Sequence, residues 1–411
     1  MRITKLLLAT TKEAKQFDSV NATLLQKAGF VHQTMAGVYT MLPLGFRVLT
    51  KIENIVREEM DKLGAEMLMP ALAPQALWQQ TGRLDEVDVL FEARGGNEAS
   101  RKVNDATYVL NSTHEEVITP IVKEFRPGYK DLPCAVYQFQ TKFRNEPRPK
   151  SGLLRGREFR MKDLYSFHAS EEDFKQYYEQ VKEAYLQIFT VLGLGEDTRV
   201  VLAGGGTFTK GYTHEFDTKC EAGEDLVYFD EENNIYYNKE VAPDEVKKKY
   251  APYQAAEVGN IFPLGTKYAE AFDYYVTDQQ GEKTLVYMGS YGLGTTRVLG
   301  VLVEKFHDKR GIVWPENVAP YTAHLIGLNG EKKEVRRRTE EVYGKLKEAG
   351  VDVLYDDRAG ASAGEKLAEA DLIGVPWRVI VSEKTGNKVE IKKRKDKKER
   401  MVELAEFISL C

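Results

Sequence analysis

Cysteine is scarce in this sequence, and no apolar stretch is long. Cys134, Cys220 and Cys411 stand far apart, which excludes a disulfide framework and any Cys-x-x-Cys zinc site and points to a reducing compartment. Near the start, the apolar run Leu6 to Ala9 ends well short of a signal or membrane segment. The Arg- and Ser-rich, acid-poor texture of a transit peptide is also missing, so the expectation is a cytoplasmic protein with no membrane contact. Neither charge sign dominates: the net charge is −5 over 411 residues. The whole chain therefore does not attract phosphate backbones, and any nucleic-acid contact has to be a local patch. The familiar nucleotide signatures are absent too. There is no GxxxxGK[ST], and the glycines of GGGTFTKG (204–211) lack both the lysine spacing and the strand-to-helix setting, so they read as a turn. No HExxH and no nucleophile elbow occurs.

What is present has the texture of a globular chain with 42% hydrophobic and 29% charged residues, long enough for two or three domains. Residues 46–63 place Phe46, Leu49, Ile52, Ile55, Val56, Met60 and Leu63 at helical spacing, and Gly64 ends the pattern. The following AEMLMPALAP reads as a strand closed by Pro70 and Pro74. A helix running into an edge strand suits an oligomer surface as well as plain helix-on-sheet packing. Residues 134–146 alternate, with Ala135, Tyr137, Phe139 and Phe143 on one face and Gln138, Gln140, Lys142, Arg144 and Glu146 on the other. After a Pro/Gly/Arg-rich loop, residues 157–168 return as a second strand, giving a long antiparallel hairpin.

A helix is expected over 170–193 behind a Ser170 cap. Strands are expected at Leu226–Phe229, Ile235–Tyr237 and Thr284–Met288, then an apolar helix over 298–306. Strands in runs with interspersed helices predict an α+β domain built on an antiparallel sheet. Past the Pro315/Pro320 turn the pattern changes to strand, helix 331–349, strand, helix 362–372 and two strands, a compact α/β module. The basic run Lys384 to Arg400 in that module fits a solvated edge as well as a nucleic-acid patch.

The hairpin offers a nucleotide site of another kind. One strand and the loop bring Arg144, Glu146, Arg148, Arg155 and Arg157, and the return strand aligns Phe159, Met161, Asp163 and Tyr165. A solvated strand pair has no need of Phe159 and Met161 beside Arg and Asp. Guanidinium for phosphate, carboxylate for an amine and an aromatic plane for stacking are what ATP requires. FRNE, a loop and RGREFRMKD resemble the second signature motif of class II aminoacyl-tRNA synthetases. GSYGLGTTR (289–297) with its apolar helix resembles the third, and the helix leading into Pro70 the first, which lies at the dimer interface. Within the class, LNSTHEEVITP, THEF (213–216), IFPLGTKYAEAFD and GIVWPENVAPY resemble the bacterial type of prolyl-tRNA synthetase, from the first residues to the last.

That resemblance implies a class II catalytic domain over 1–314, its antiparallel sheet flanked by helices, and a C-terminal α/β anticodon-binding domain over 315–411. It implies ATP with Mg2+, L-proline and proline tRNA as partners, a homodimer, and no structural zinc. Arg144 and Arg297 become the catalytic cations. Glu146, Arg155, Phe159, Gly292 and Gly294 join them around ATP. Thr113, Glu115, Met161, Asp163, Phe167 and His168 are implied around proline, Glu215 at a metal or the ribose, and Asp357, Arg358, Lys366, Glu390 and Lys392 at the anticodon. By itself a lone His168 or His214 reads as a satisfied structural histidine rather than a site residue.

Two features depart from the family. Only residues 224–254 stand where a large editing domain is usual, so no editing in cis is expected. Asn260 and Pro263 stand where the family more usually has His and Gln. The nearest alternatives are sister enzymes for threonine, serine, glycine or histidine. Threonine would want a Cys/His zinc set that the Met161, Asp163, Tyr165 face does not supply. A non-catalytic relative would be expected to have lost Arg144, Phe159 or Arg297.

Overall fold

A computed structural model describes residues 1–7, 10, 17–209, 211–277 and 281–411. The chain forms two compact units, one of Met1–Thr34, Tyr39–Ile52 and Leu302–Cys411, the other of Met35–Val38 and Glu53–Val301. The predicted amphipathic helix is Pro43–Met60 (α1). Gly64 follows it at a point where a Cβ would stand 2.8 Å from the carbonyl oxygen of Ala135.

The larger unit is built on a nine-stranded sheet. Its strands, in chain order, are Ala65–Glu66 (β1), Cys134–Phe143 (β2), Glu158–His168 (β3), Thr198–Gly204 (β4), Tyr212–Lys219 (β5), Asp225–Asp230 (β6), Ile235–Asn238 (β7), Tyr253–Gly265 (β8) and Tyr287–Leu293 (β9). They lie in the order β5-β4-β7-β6-β8-β9-β3-β2-β1. The β2–β3 hairpin pairs Cys134 with Phe167 and runs to Phe143 with Glu158, as the alternation predicts. Strand β8 pairs with β5 as well as with β6 and β9, so β5, β4, β7, β6 and β8 close into a ring around Val201, Val227 and Ala255. Helix Glu171–Val191 (α2), capped by Ser170, covers one face of the sheet, where its Tyr185 and Phe189 meet Phe216. The helix expected over 298–306 begins earlier, at Thr295–Lys305 (α3).

Two expectations are corrected. The segment 65–74 is not one strand: only Ala65–Glu66 joins the large sheet, while Leu72–Pro74 pairs with Tyr108–Leu110 in a separate small sheet. Between them, inside the backbone bonds of Met67 N to Tyr137 O and of Asn111 N to Ala71 O, the main chain bonds to side chains: Met69 N donates to Gln138 Oε1 at 2.9 Å, and the Pro70 carbonyl accepts from Asn111 Nδ2 at 3.0 Å. The stretch Thr284–Met288 likewise divides. Lys283–Leu285 pairs with Tyr275–Thr277, Val286 N turns to the Tyr274 carbonyl, and β9 starts at Tyr287.

In the other unit Ala323–Gly327 (β10), Val353–Asp356 (β11), Trp377–Val381 (β12), Val389–Lys393 (β13) and Arg400–Val402 (β14) form a sheet ordered β11-β10-β12-β13-β14. Strands β11, β10 and β12 run parallel to one another, while β13 is antiparallel to β12 and β14 to β13. Helices Lys333–Glu348 and Ala363–Ile373 match the predicted ones, and Ser362 caps the second. Strand β14 and helix Leu404–Ser409 were not foreseen. Nor was the N-terminal segment, where Arg2 bridges to Tyr355 and the Met1 amine donates to Val353 O at 2.7 Å.

Candidate active site

Period-two alternation along β3 decides what faces the cavity. Phe159, Met161 and Asp163 line a cavity of about 450 Å3, within the range of small-molecule sites. Lys162, one residue out of phase, turns to the helix side, where its buried ammonium donates to Tyr185 Oη and to the Tyr291 carbonyl. Burial drives the Lys162 pKa well below its ordinary value.

One cluster on the cavity wall is cationic. Arg144 leaves the end of β2 with its guanidinium 5.2 Å from the centre of the Phe159 ring. Among the described residues it has no carboxylate within ion-pair distance. Burial first, then the nearby Arg297, lower its pKa. Arg297, in the first turn of α3, donates through Nη1 to Glu257 Oε2 at 2.8 Å and to the Glu257 carbonyl at 2.6 Å. Arg155 reaches from the loop to Glu146 at 2.6 Å and to Glu224. Gly292 and Gly294 complete this wall. All seven residues expected around ATP therefore border one cavity. Arg148 and Arg157 do not; Arg157 donates to the Glu146 carbonyl at 2.9 Å.

The second cluster is built on a buried carboxylate. Glu115 accepts from Ser290 Oγ at 2.6 Å on one oxygen and from Thr113 Oγ1 on the other, and Arg83 stands 3.7 Å away. The Arg83 guanidinium donates to Glu116 and to Tyr268 Oη, each at 2.7 Å, and lies 4.4 Å from the Phe208 ring centre. Phe208 packs on Phe262 with ring centres 4.5 Å apart. The turn read in GGGTFTKG is thus also a cavity wall, through Thr207 and Phe208, while its Lys210 lies outside the described residues.

Behind this cluster lies a polar layer. Asp163 borders the cavity, but its carboxylate is engaged: Lys142 Nζ is 2.8 Å from Oδ1, while Gln138 Nε2 and Tyr165 Oη donate to Oδ2 at 2.9 and 2.8 Å. His114 takes a hydrogen bond from Lys142 and meets the Pro70 carbonyl at 3.0 Å. Burial, then the Lys142 charge, depress the His114 pKa to about 4. The polar face of β2 is therefore no solvated face, since Gln138 and Lys142 are fully buried.

Other predicted residues lie apart from the cavity lining. Phe167 belongs to the hydrophobic cluster with Tyr274 and Met288, because the cavity stops at Asp163 where Tyr165 bridges across. His168 is buried against Phe174 and Tyr177, its Nδ1 2.6 Å from Asp173. Glu215 sits one step behind the wall, taking hydrogen bonds from Asn238 at 3.0 Å and from Asn260 at 3.1 Å. Burial first, then Glu257, Asp217 and Asp225, raise its pKa and favour the protonated acid.

In the other unit Asp357, Arg358 and Lys366 cluster near the ends of β10 and β11. Asp357 accepts from Thr4 N and Oγ1, Arg358 pairs with Asp356 and Glu369 at 2.7 Å each, and Lys366 donates to the Gly327 carbonyl at 3.3 Å. Glu390 and Lys392 lie on β13, outside that cluster. The basic run divides: Arg394 is buried on Asp308, with bonds of 2.7 and 2.8 Å, while Lys395, Lys397 and Lys398 are exposed.

Sequence reasoning missed Arg83, Lys142, Phe208, Glu257 and Ser290 as parts of the site. Lys142 had a local signal on the alternating face of Arg144, Ser290 lay within GSYGLGTTR, and Glu257 stood just before IFPLGTKYAEAFD; Arg83 and Phe208 had none that pointed to the site.

The tRNA synthetase class II core domain (G, H, P, S and T) matches residues 98–306, and an anticodon binding domain matches 322–411. The chain is 37% identical over 435 residues to the proline–tRNA ligase of Wolbachia sp. subsp. Brugia malayi (strain TRS), covering 100% of this chain and 99% of that one. It is 33% identical over 568 residues to the proline–tRNA ligase of Persephonella marina (strain DSM 14350 / EX-H1), covering 99% of each. An alignment that much longer than 411 residues means that this relative carries sequence the present chain lacks. The structure of Giardia lamblia prolyl-tRNA synthetase in complex with prolyl-adenylate shares the fold, with TM-score 0.77 and 20% identity over 96% of this chain and 78% of that one. With full-length relatives of one kind and a core-domain match that covers the cationic cluster and, apart from Arg83, the carboxylate cluster, the chain belongs to the proline–tRNA ligase family of class II aminoacyl-tRNA synthetases.

Proposed function

We propose that this cavity joins L-proline to ATP as prolyl-adenylate, releasing pyrophosphate, and that the chain then transfers proline to the 3′ end of proline tRNA. The observation that carries the reading is Arg144: a cation on the cavity wall with no carboxylate partner, stacked beside Phe159 and next to Arg297. A guanidinium left unpaired in a cavity suits an anionic ligand, and the adjoining aromatic plane suits a base.

In this reading Phe159 stacks on adenine and Glu146 accepts from its amino group. Arg155 and Arg297 hold the terminal phosphates, with Gly292 and Gly294 letting the nucleotide approach the main chain. Glu115, with a lone pair still open on each oxygen beside Thr113 and Ser290, takes the secondary ammonium of proline. Met161 supplies apolar wall, Asp163 fixes Lys142 behind it, and Phe167 and His168 support β3 from outside. A proline carboxylate oxygen attacks the α-phosphorus as the bond to the pyrophosphate oxygen breaks. Arg144 stabilises the charge that develops there, and the carboxylate, already ionised, needs no general base.

Among the described residues no group of three or more His, Cys, Asp or Glu is arranged to hold a metal by itself. Mg2+ would be bound chiefly through substrate phosphates with one or two protein carboxylates, here Glu257 or Glu146. When bound it shields phosphate charge. Glu215, pressed towards its protonated form, suits the ribose better than a metal.

Residues 315–411 would bind the anticodon through Asp357, Arg358, Lys366, Glu390 and Lys392, with 1–314 as the catalytic part, in a cytoplasmic homodimer. Among the described residues no helix is long and apolar enough to cross a membrane. Pyrophosphate exchange tested with each of the twenty amino acids should be driven by proline, with alanine the leading error. Another amino acid as the best substrate, or none, would refute the assignment. A pocket separates neighbours by about 1–3 kcal/mol per methylene, and residues 224–254 offer no room for an editing domain. Alanyl-proline tRNA should therefore persist beside the pure protein as long as in buffer. Lys392→Glu should weaken tRNA charging while exchange, which needs no tRNA, keeps its rate.

A further inference from the structure

The segment between the second and third motifs reads as a short filler, yet its last strand ends on a side chain tied to the site. Asn238, at the end of β7 and nearly buried, donates to Glu215 Oε2 at 3.0 Å. The other oxygen of Glu215 accepts from Asn260 Nδ2 at 3.1 Å, and that same nitrogen donates to Glu257 Oε1 at 3.1 Å. A primary amide has two N–H groups, and both are used here. Its oxygen lies 2.6 Å from Thr213 Oγ1, whose one hydrogen is also within reach of the Ile261 carbonyl at 2.5 Å, and the two acidic side chains fix which way the amide nitrogen points. Glu257 then holds Arg297 at 2.8 Å through its remaining carboxylate oxygen. Strand register sets this up: Glu215 and Asn260 are direct partners across β5 and β8, and β7 closes the ring beside them.

We propose that Asn260, anchored from behind by Asn238 through Glu215, is a positioning residue that sets the place of Arg297 by holding Glu257. The inference rests on the reading of Arg297 as a phosphate-gripping residue. Asn260 is the amide that joins Glu215 to Glu257. Without its two donors Glu257 is free to turn wholly onto Arg297, and a shift of about 1 Å in a positioning group can cost on the order of a hundredfold in rate. The residual segment thus contributes to ATP binding, although it lies outside the cavity wall.

The test is proline-dependent pyrophosphate exchange by the full chain, with KM measured separately for ATP and for proline. Asn260→Ala should raise the ATP KM about tenfold, roughly 1.4 kcal/mol, and Asn238→Ala about threefold, while the proline KM stays within about twofold. In a Glu257→Gln background either change should add little, because the path to Arg297 is already cut. Equal rises in both KM values, or full additivity with Glu257→Gln, would overturn the proposal. Should Asn260→Ala fail to fold, Asn238→Ala and Asn238→Asp decide it by the same comparison. If the unmutated chain shows no proline-dependent exchange, the functional reading has failed instead.

Discussion

Lys142 and Arg144, two residues apart in one alternating set at the end of β2, are cations with opposite roles that unfolding and kinetics can separate. Arg144 has no carboxylate partner among the described residues, so Arg144→Met should leave the melting temperature unchanged or raise it while lowering exchange about 10²–10³-fold, as for loss of one transition-state donor. Lys142 is fully buried against Asp163. Lys142→Met should cost about 3–5 kcal/mol in urea unfolding, because it strands a buried carboxylate. Matching losses of stability in the two variants would contradict this division. Alternation along β2 and β3 made Arg144, Phe159 and Met161 legible in the sequence, since strand parity assigns a face. It did not tell where along the face the cavity ends, and so Phe167 was grouped with it; His168 has the parity of Lys162 and packs on the helix side, against Phe174 and Tyr177. Arg83 was illegible because its partners Glu116, Tyr268 and Phe208 are brought together only by tertiary packing.

At the scale of elements, caps and periods were readable and pairings were less so. Ser170 and Ser362 cap their helices because a hydroxyl can take an otherwise unpaired N–H of the first turn. The split of 65–74 was hidden, since it depends on Gln138 and Asn111 offering side-chain bonds to Met69 and Pro70. Glu53 shows how elements are locked. It takes both Arg160 nitrogens, at 3.0 and 3.1 Å, and the Thr295 hydroxyl at 3.3 Å, so one carboxylate ties α1 to β3 and to the start of α3. An acid at a helix start is also favoured by the helix dipole. Glu53→Ala should therefore cost about 1.5–3 kcal/mol, the range for hydrogen bonds to charged groups, measured by urea unfolding. It should also lower exchange, because α3 carries Arg297. A variant with full stability and full exchange would show that the tie is dispensable.

Across the whole molecule, the change of texture near Pro315 marks where an α/β pattern begins, but the compact unit holding those strands also takes in Met1–Thr34, Tyr39–Ile52 and the residues from Leu302, and the pairing of Arg2 with Tyr355 joins residues far apart in sequence that no local pattern connects. Burial of titratable groups is a property of the same scale. His324 on β10 is buried with neither ring nitrogen partnered. Burial chiefly, with Arg358, Arg378 and Lys366 adding to it and Asp356 opposing, lowers its pKa to about 4. His114 is held at about 4 by burial and Lys142. In the unfolded chain both return to about 6.5. Above that value neither state binds the proton and nothing is lost. As pH falls from about 6.5 towards 4, only the unfolded chain takes up these protons, so stability declines, by at most about 1.4 kcal/mol per pH unit for each histidine. Urea unfolding at pH 7 and pH 5 should show His324→Gln losing about 2 kcal/mol less than the unmutated chain over that interval. The same loss in both would mean that His324 takes its proton in the folded state, with Asp356 outweighing burial.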